Sequence, residues 1–273
     1  MAEVNAKDVM ALRARTGLGM MDCKQALAET NGDVEAAEDF LRKKLKGKMD
    51  ARTDRAAGEG RIGIAISNDG RTGAIVELRA ETDFTARNDE FVTATKKLAE
   101  AVLEHGHAGE VSKSDAIGAV VEPLRIKTGE NISYARGHKM EGGSSTNFGT
   151  YIHHDGKTGV LLQAEGSVNE DLLKAICMHI TAAVPRPLGV SKDDVPADKV
   201  EKERKFALEE AMESGKPKDI AEKMVEGKLR KFYESVALLE QPYVKDPDKK
   251  IKDLLPKDAT IVGFLRWQVG EEG

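Results

Sequence analysis

Residues 69–76 read DGRTGAIV, and residues 155–162 repeat the pattern as DGKTGVLL. Each copy places an Asp-Gly pair between two strand-like runs, which is the usual signature of a β-hairpin. Ahead of the first pair, Ile62, Ile64 and Ile66 alternate with other residues, so one face of that strand is expected to be buried. The chain is therefore predicted to contain two related hairpins.

A helical stretch follows each predicted hairpin, at residues 91–103 after the first and at residues 170–184 after the second. Two strand–strand–helix units predict an α+β fold with a core of two related subdomains, because each sheet needs a helix to cover its apolar face. We place the N-terminal core subdomain at residues 55–140. The C-terminal core subdomain is placed at residues 141–186 and 236–273.

Residues 1–54 are predicted to form a three-helix module followed by a linker. Asn5 and Asp33 are typical N-caps for the first and third helices, and the Asn-Gly pair at residues 31–32 is a typical left-handed end for the second. The basic run at residues 42–48 contains a glycine and is expected to belong to the linker.

Residues 187–235 are predicted to form an inserted helical hairpin. Pro196 and Pro217 each suit the first turn of a helix, and apolar residues, Phe206 among them, recur at helical spacing after each proline. The first helix is expected to end at residues 214–215. The apolar stripe is expected to pack one helix against the other, and a homodimer through the same segment stays open as a second use of it.

The composition excludes several broad classes. The 273 residues carry a net charge of −5 with 40% apolar residues, whereas a general nucleic-acid binder normally presents a basic face. No stretch approaches the roughly 18 apolar residues that cross a membrane, and the N-terminal residues show no signal- or transit-peptide pattern. The two cysteines, Cys23 and Cys177, form no CxxC pair. We expect packed, reduced thiols in a cytoplasmic protein with no direct nucleic-acid or membrane partner.

No motif for catalysis, a metal or a cofactor emerges. Residues 156–158 read Gly-Lys-Thr, but Tyr151 stands where a P-loop needs its first glycine, and a strand-like run follows instead of a helix. His153, His154 and residues 177–179 hold metal-capable atoms without the spacing of a zinc site. We therefore expect a hairpin turn at the Gly-Lys-Thr stretch, no cofactor, no metal, no catalytic residue and no enzyme.

Residues 82–88, TDFTARN, join the first predicted hairpin to the helix after it. Under one interpretation Thr82 or Asp83 caps that helix while Phe84 packs into the core. Under the other, Phe84 is an exposed wedge with the Asp83 charge beside it. The residues by themselves leave both interpretations open.

The heptad at residues 82–88 is similar to a signature of the bacterial elongation factor Ts family. Residues 15–24, RTGLGMMDCK, resemble the other signature of that family, and residues 214–227 and 262–266 resemble its C-terminal half. These matches occur in family order and cover nearly the whole chain. The resemblance implies that the N-terminal module is the ubiquitin-associated-like domain with which this family begins.

Membership would imply a guanine-nucleotide exchange factor that binds elongation factor Tu in its GDP-bound and nucleotide-free forms. The resemblance implies that Phe84 inserts between helices of the Tu nucleotide-binding domain, that Asp83 stabilises the shifted arrangement, and that the Mg²⁺ of Tu is displaced so that GDP leaves. Thr82 and Thr85 would frame the wedge, although family members more often carry an aliphatic residue at the position of Thr85. Residues 87–88 are expected to fix the loop and cap the next helix.

The other family motifs imply further contacts with Tu. Met20 and Met21 are adjacent, so one helix face cannot easily bury both side chains, and the resemblance places them, together with Leu12, in a patch that touches Tu. His153 matches a family histidine in contact with Tu. The sequence ends at residues 269–273, whereas some relatives continue into a further helical module, so other contacts are expected to supply the affinity.

Two other functions stay open at this point. A non-catalytic adaptor would bind its partner through the three-helix module, with Phe84 buried beside a simple helix cap. A small-molecule enzyme would need convergent ionisable side chains with perturbed pKa values in a cleft between the subdomains. The exposure of Phe84 distinguishes the exchange factor from the adaptor.

Overall fold

The computed structural model of the chain describes residues 4–50, 53–213, 215 and 217–271. Helices and strands both build its core, which confirms the predicted α+β class. No helix in the described residues is long and apolar enough to cross a membrane. The helices are α1 (Ala6–Thr16), α2 (Met20–Glu29), α3 (Val34–Asp50), α4 (Asp83–Arg87), α5 (Asp89–His105), α6 (Asp115–Thr128), α7 (Glu170–Ala182), α8 (Ala197–Glu213), α9 (Lys218–Val236) and α10 (Ile251–Leu254). The strands are β1 (Glu59–Ile66), β2 (Thr72–Ala80), β3 (Gly109–Glu110), β4 (Ser133–Glu141), β5 (Thr146–Ile152), β6 (Thr158–Glu165), β7 (Pro242–Tyr243), β8 (Asp246–Lys250) and β9 (Thr260–Gln268).

The chain divides into two compact units. The first takes in the described residues up to 63 together with 76–138 and 269–271, and it contains α1 to α6. The second takes in 64–75 and the described part of 139–268, with α7 to α10. Strands β1, β2, β4 and β3 form one sheet in that order, β5, β6 and β9 form an antiparallel second sheet, and β7 pairs with β8. The four domain boundaries predicted from the sequence stay predictions.

The two repeated stretches are hairpin turns with the same backbone geometry. In the β1–β2 turn Asp69 accepts a hydrogen bond through its carboxylate from the backbone N–H two residues on, at 3.1 Å, and Gly70 has φ +70°. In the β5–β6 turn Asp155 does the same at 2.9 Å, and Gly156 has φ +73°. A left-handed residue at this position favours glycine. Both hairpins are therefore confirmed, and the Gly-Lys-Thr stretch lies in a turn.

The expected alternation of burial along β1 holds only in part. Ile62 is buried, Ile64 is half-buried, and Ile66 next to the turn is exposed. The prediction for Ile66 is wrong, because the covered face of this sheet ends before the hairpin tip.

The second sheet carries the core of its unit. Strand β6 is buried along nearly its whole length, since β5 and β9 flank it and α7 packs over it. Leu173, Ile176 and Ile180 of α7 meet the apolar side chains of β6 in one cluster. Cys177 lies in the same cluster, and burial raises the pKa of its thiol to about 12. Cys23 is buried in the first unit, so both cysteines are packed thiols as expected.

Helices α1 to α3 enclose a small apolar core of their own. The side chains of Asn5 and Asp33 cap α1 and α3 as predicted, and residues 31–32 have positive φ angles after α2. Helix α3 runs to Asp50, so the prediction that residues 42–48 belong to a linker is wrong. Lysine, arginine and leucine favour helices, and one glycine costs only about 1 kcal/mol in a helix interior. The core residues are Val9, Leu12, Cys23, Ala26, Leu27, Ala37 and Leu41.

Helices α8 and α9 form the expected helical hairpin. Ala207 and Ala211 of α8 pack against Val225 and Leu229 of α9. Phe206, which was assigned to the packed stripe, is 55% exposed, because it lies one position away from Ala207 and points off that face. The predicted end of the first helix includes Ser214, which lies outside the described residues, as does Lys216 of the family-like stretch.

Candidate functional site

Phe84 lies almost entirely in solvent. It is the second residue of the five-residue helix α4, which follows strand β2 directly, and its side chain is 85% exposed. Thr82 caps this helix, since its hydroxyl oxygen accepts a hydrogen bond from the Thr85 N–H at 3.3 Å. Ala86, on the inner side of the same turn, is buried. The helix cap and the exposed aromatic ring therefore coexist, and the adaptor's expectation of a buried Phe84 is wrong.

The Glu130 carboxylate holds the chain on both sides of Phe84. Its Oε1 accepts hydrogen bonds from the hydroxyls of Thr82 and Thr85, at 2.7 and 2.6 Å. Its Oε2 accepts the backbone N–H of Thr82 at 3.2 Å. Hydrogen bonds to an ionised acceptor are stronger than those between neutral groups, so residues 82–85 are attached to a fixed point of the fold.

The charge beside Phe84 is paired within the same helix. The Asp83 carboxylate lies 3.3 Å from the Arg87 guanidinium, one turn further on. The Arg87 side chain is exposed and that of Asp83 is partly exposed, so this pair adds little to stability and Asp83 stays accessible. Asn88 caps α5 by accepting the Glu90 N–H at 2.8 Å. The contacts expected of residues 87–88 are therefore present.

Two other predicted contact residues also lie at the surface of the first unit. Met20 and Met21 begin α2 and are 48% and 76% exposed. The core of the three-helix module is formed by other residues, so neither methionine is needed to fill it. Their unbranched thioether side chains are suited to adapting to a partner surface.

His153 lies in the second unit, at the first position of the β5–β6 turn. It is half-buried, its backbone N–H donates to the Thr158 carbonyl at 2.8 Å, and its Nδ1 lies 3.2 Å from the Tyr151 hydroxyl. The His154 ring packs edge-on against it, with 4.2 Å between ring centroids. No group of three or more His, Cys, Asp or Glu side chains that could hold a metal occurs among the described residues. His153 is thus placed as a surface residue at a hairpin tip.

Comparison with known proteins gives one consistent result. The family model of elongation factor Ts matches residues 81–271. The elongation factor Ts of Photorhabdus laumondii is 43% identical over 276 residues, covering 99% of this chain and 94% of that protein. The elongation factor Ts of Halorhodospira halophila is 42% identical, covering 98% and 92%, and that of Thioalkalivibrio sulfidiphilus is 41% identical with the same coverage.

The chain belongs to the elongation factor Ts family. It is therefore an elongation factor of protein biosynthesis, as the resemblance implied. The match of the family model begins at Glu81, immediately before the loop that presents Phe84.

For one of the predicted contact residues, Leu12, the expected surface position is wrong. Leu12 is 0% exposed and lies in the core of the three-helix module with Val9 and Leu27. It cannot contact a partner while the module is folded, and its assignment to the Met20–Met21 patch is wrong. The i, i+3 spacing of Val9 and Leu12 on α1 is the usual signal for a buried face, and it outweighs the resemblance at this position.

Glu130 is the functional candidate that the sequence did not reveal. It lies 45 residues beyond Thr85, just past the left-handed Gly129 that ends α6. A glutamate after a helix end normally lies in solvent, so no local pattern marks it. Thr85 supplies one of the hydroxyls that contact Glu130, but a threonine by itself does not indicate its acceptor.

Proposed function

We propose that this chain is a guanine-nucleotide exchange factor for elongation factor Tu. It binds Tu in the GDP-bound form, promotes release of GDP and holds the nucleotide-free form until GTP loads. The observation that carries the proposal is the exposed Phe84 on a capped and tethered turn. Aromatic side chains, phenylalanine among them, are enriched in protein interfaces, where they act as buried anchors.

Nucleotide exchange of this kind requires that the chain bind nucleotide-free Tu more tightly than GDP-bound Tu. It requires no residue that makes or breaks a covalent bond. If this chain weakens the affinity of Tu for GDP by a given factor, then GDP weakens the affinity of Tu for the chain by the same factor. A thousandfold effect corresponds to about 4 kcal/mol, and burying one phenylalanine contributes ~1.5–3 kcal/mol. Phe84 therefore accounts for a large part of such an effect, and other contacts supply the remainder.

The proposed step acts on the Mg²⁺ that Tu holds beside GDP. Phe84 inserts between helices of the nucleotide-binding domain of Tu and displaces groups that support the metal shell. Asp83, released from Arg87, stabilises the shifted arrangement, as a carboxylate does at a helix N-terminus. Without the metal the phosphates of GDP carry uncompensated charge, and GDP leaves. In this chain Thr82 and Thr85 frame the wedge.

Affinity for Tu comes from further residues at the protein surface. Met20 and Met21 on α2 form one contact, and His153 at the β5–β6 turn forms another. We also propose that residues 187–235 join two copies of the chain, because Phe206 and Met212 leave apolar surface on α8. Analytical ultracentrifugation tests the dimer: we expect twice the chain mass for the native protein and the monomer mass for Met212→Asp. A monomer mass for the native protein would contradict this part of the proposal.

Stopped-flow release of fluorescent GDP from Tu tests the main proposal. We expect the native chain to accelerate release and Phe84→Ala to lose most of that acceleration. Val184→Ala is the control, since it trims another highly exposed apolar side chain outside the proposed contacts and is expected to behave like the native chain. Failure of the native chain to accelerate release would contradict the function. Equal rates for the native chain and Phe84→Ala would contradict the role of the ring.

A further inference from the structure

We propose that Glu130 is a positioning residue for the exchange reaction, and that it acts by holding Phe84 in its exposed orientation. The inference rests on the proposed function of Phe84. Glu130 itself touches neither Tu nor its nucleotide in this proposal. It acts through the threonines that flank the wedge.

The contacts of Glu130 bracket the wedge on both sides. Thr82 precedes Asp83 and Phe84, and it donates both its hydroxyl and its backbone N–H to the Glu130 carboxylate. Thr85 follows Phe84 and donates its hydroxyl to the same carboxylate. A single side chain thus fixes the residue before and the residue after the pair that meets the partner. The direction in which Phe84 points is therefore coupled to the position of one carboxylate.

Glu130 is itself held by the rigid part of the first unit. Its backbone N–H donates to the Thr128 hydroxyl at 3.3 Å, at the end of α6. The next residue, Asn131, is buried and donates its backbone N–H to Glu81 at 2.6 Å. The Asn131 side-chain amide donates to the carbonyl of Arg55 at 2.7 Å. Residues 81–82 and 130–131 are therefore joined by two adjacent sets of hydrogen bonds.

This tether is needed because α4 is too short to hold its own shape. Nucleating a helix is unfavourable, and helices of a few residues are unstable on their own. Without the carboxylate, residues 82–85 would sample several conformations, and the step in which Phe84 inserts into bound Tu would incur the entropy cost of ordering them. Glu130 thus preorganises the wedge. Its loss is expected to lower the maximal rate of GDP release more than the affinity for Tu, because Met20, Met21 and His153 contribute to affinity independently.

A double-mutant cycle separates positioning from a general effect on folding. We expect Glu130→Ala to lower the maximal release rate about tenfold, the low end of the effect of losing a hydrogen bond to a charged group, with little change in the half-saturating concentration. In a chain that already carries Phe84→Ala, the same change is expected to have no further effect, since coupled residues are not additive. Glu130→Gln is expected to be intermediate, because its carbonyl still accepts the hydroxyls. Glu100→Ala, an exposed glutamate of α5, is the control.

Hydrogen exchange of the free protein tests the positioning without Tu. We expect the amides of residues 82–88 to exchange faster in Glu130→Ala than in the native chain or Glu100→Ala, with unchanged exchange in α5. Unchanged exchange at residues 82–88 would overturn the inference, as would an equal loss of release rate with and without Phe84. If exchange rises as expected but the native chain never accelerates GDP release, the proposed function fails while the positioning of residues 82–85 by Glu130 stands.

Discussion

Replacing the buried Glu77 of β2 tests how the sheet that precedes Phe84 is stabilised. Glu77 is wholly buried, and its Oε1 accepts hydrogen bonds from Arg79 Nε at 2.7 Å and from the Gly270 N–H at 3.0 Å. Its Oε2 accepts one from Arg136 Nε at 2.7 Å. Glu77→Ala removes the acceptor of all three bonds and the counter-charge of two guanidinium groups.

The expected cost follows from these contacts. Removing one partner from a buried ion pair costs about 3–5 kcal/mol. Both arginine side chains are partly exposed and regain some hydration, so we take the low end, about 3 kcal/mol. In a chain of this size that lowers the melting temperature by roughly 6–12 °C.

Thermal unfolding followed by circular dichroism measures this loss, with Glu104→Ala as the control. Glu104 forms an exposed contact with His105, and its removal is expected to leave the melting temperature nearly unchanged. If Glu77→Ala melts within a degree or two of Glu104→Ala, the buried carboxylate does not stabilise the fold and the reasoning is refuted.

Two further predictions concern stability. Leu12→Ala is expected to destabilise the three-helix module by about 2.7–5 kcal/mol, whereas Met21→Ala stays within about 0.5 kcal/mol; equal denaturant midpoints would place Leu12 at the surface after all. Burial lowers the pKa of His179, whose Nδ1 accepts the Val244 N–H and whose Nε2 bonds Gln241. Below the usual pKa of about 6.5 the unfolded chain therefore binds more protons than the folded chain, and stability falls as pH drops. Melting between pH 7.5 and 5 checks this, and His179→Gln is expected to flatten the slope.

Local signals in the sequence predicted most of the fold. Asp69-Gly70 and its repeat identified both hairpins, because the turn needs a left-handed residue and glycine supplies it. The caps at Asn5, Asp33 and Asn88 were equally readable, since each depends on contacts two or three residues away.

The predictions failed where contacts between residues far apart in the sequence determine the structure. The length of α3 was underestimated, because a basic run with one glycine is typical of both a solvated helix and a linker. Leu12 was assigned to the surface from resemblance, although its spacing from Val9 indicated the core. Glu130 could not be found, since its partners lie 45 and 48 residues away and no pattern in one sequence joins them.

The most direct test of the account compares the rate of GDP release from Tu in the presence of the native chain and of the Phe84→Ala variant. Both rates are measured in excess Mg²⁺ and again in EDTA. In Mg²⁺ we expect the native chain to release GDP roughly 10- to 150-fold faster than the variant, the factor that corresponds to burying one phenylalanine. In EDTA the metal is already gone, so the two rates are expected to converge. A difference that persists unchanged in EDTA would contradict displacement of Mg²⁺ by Phe84, and no difference in Mg²⁺ would contradict the wedge itself.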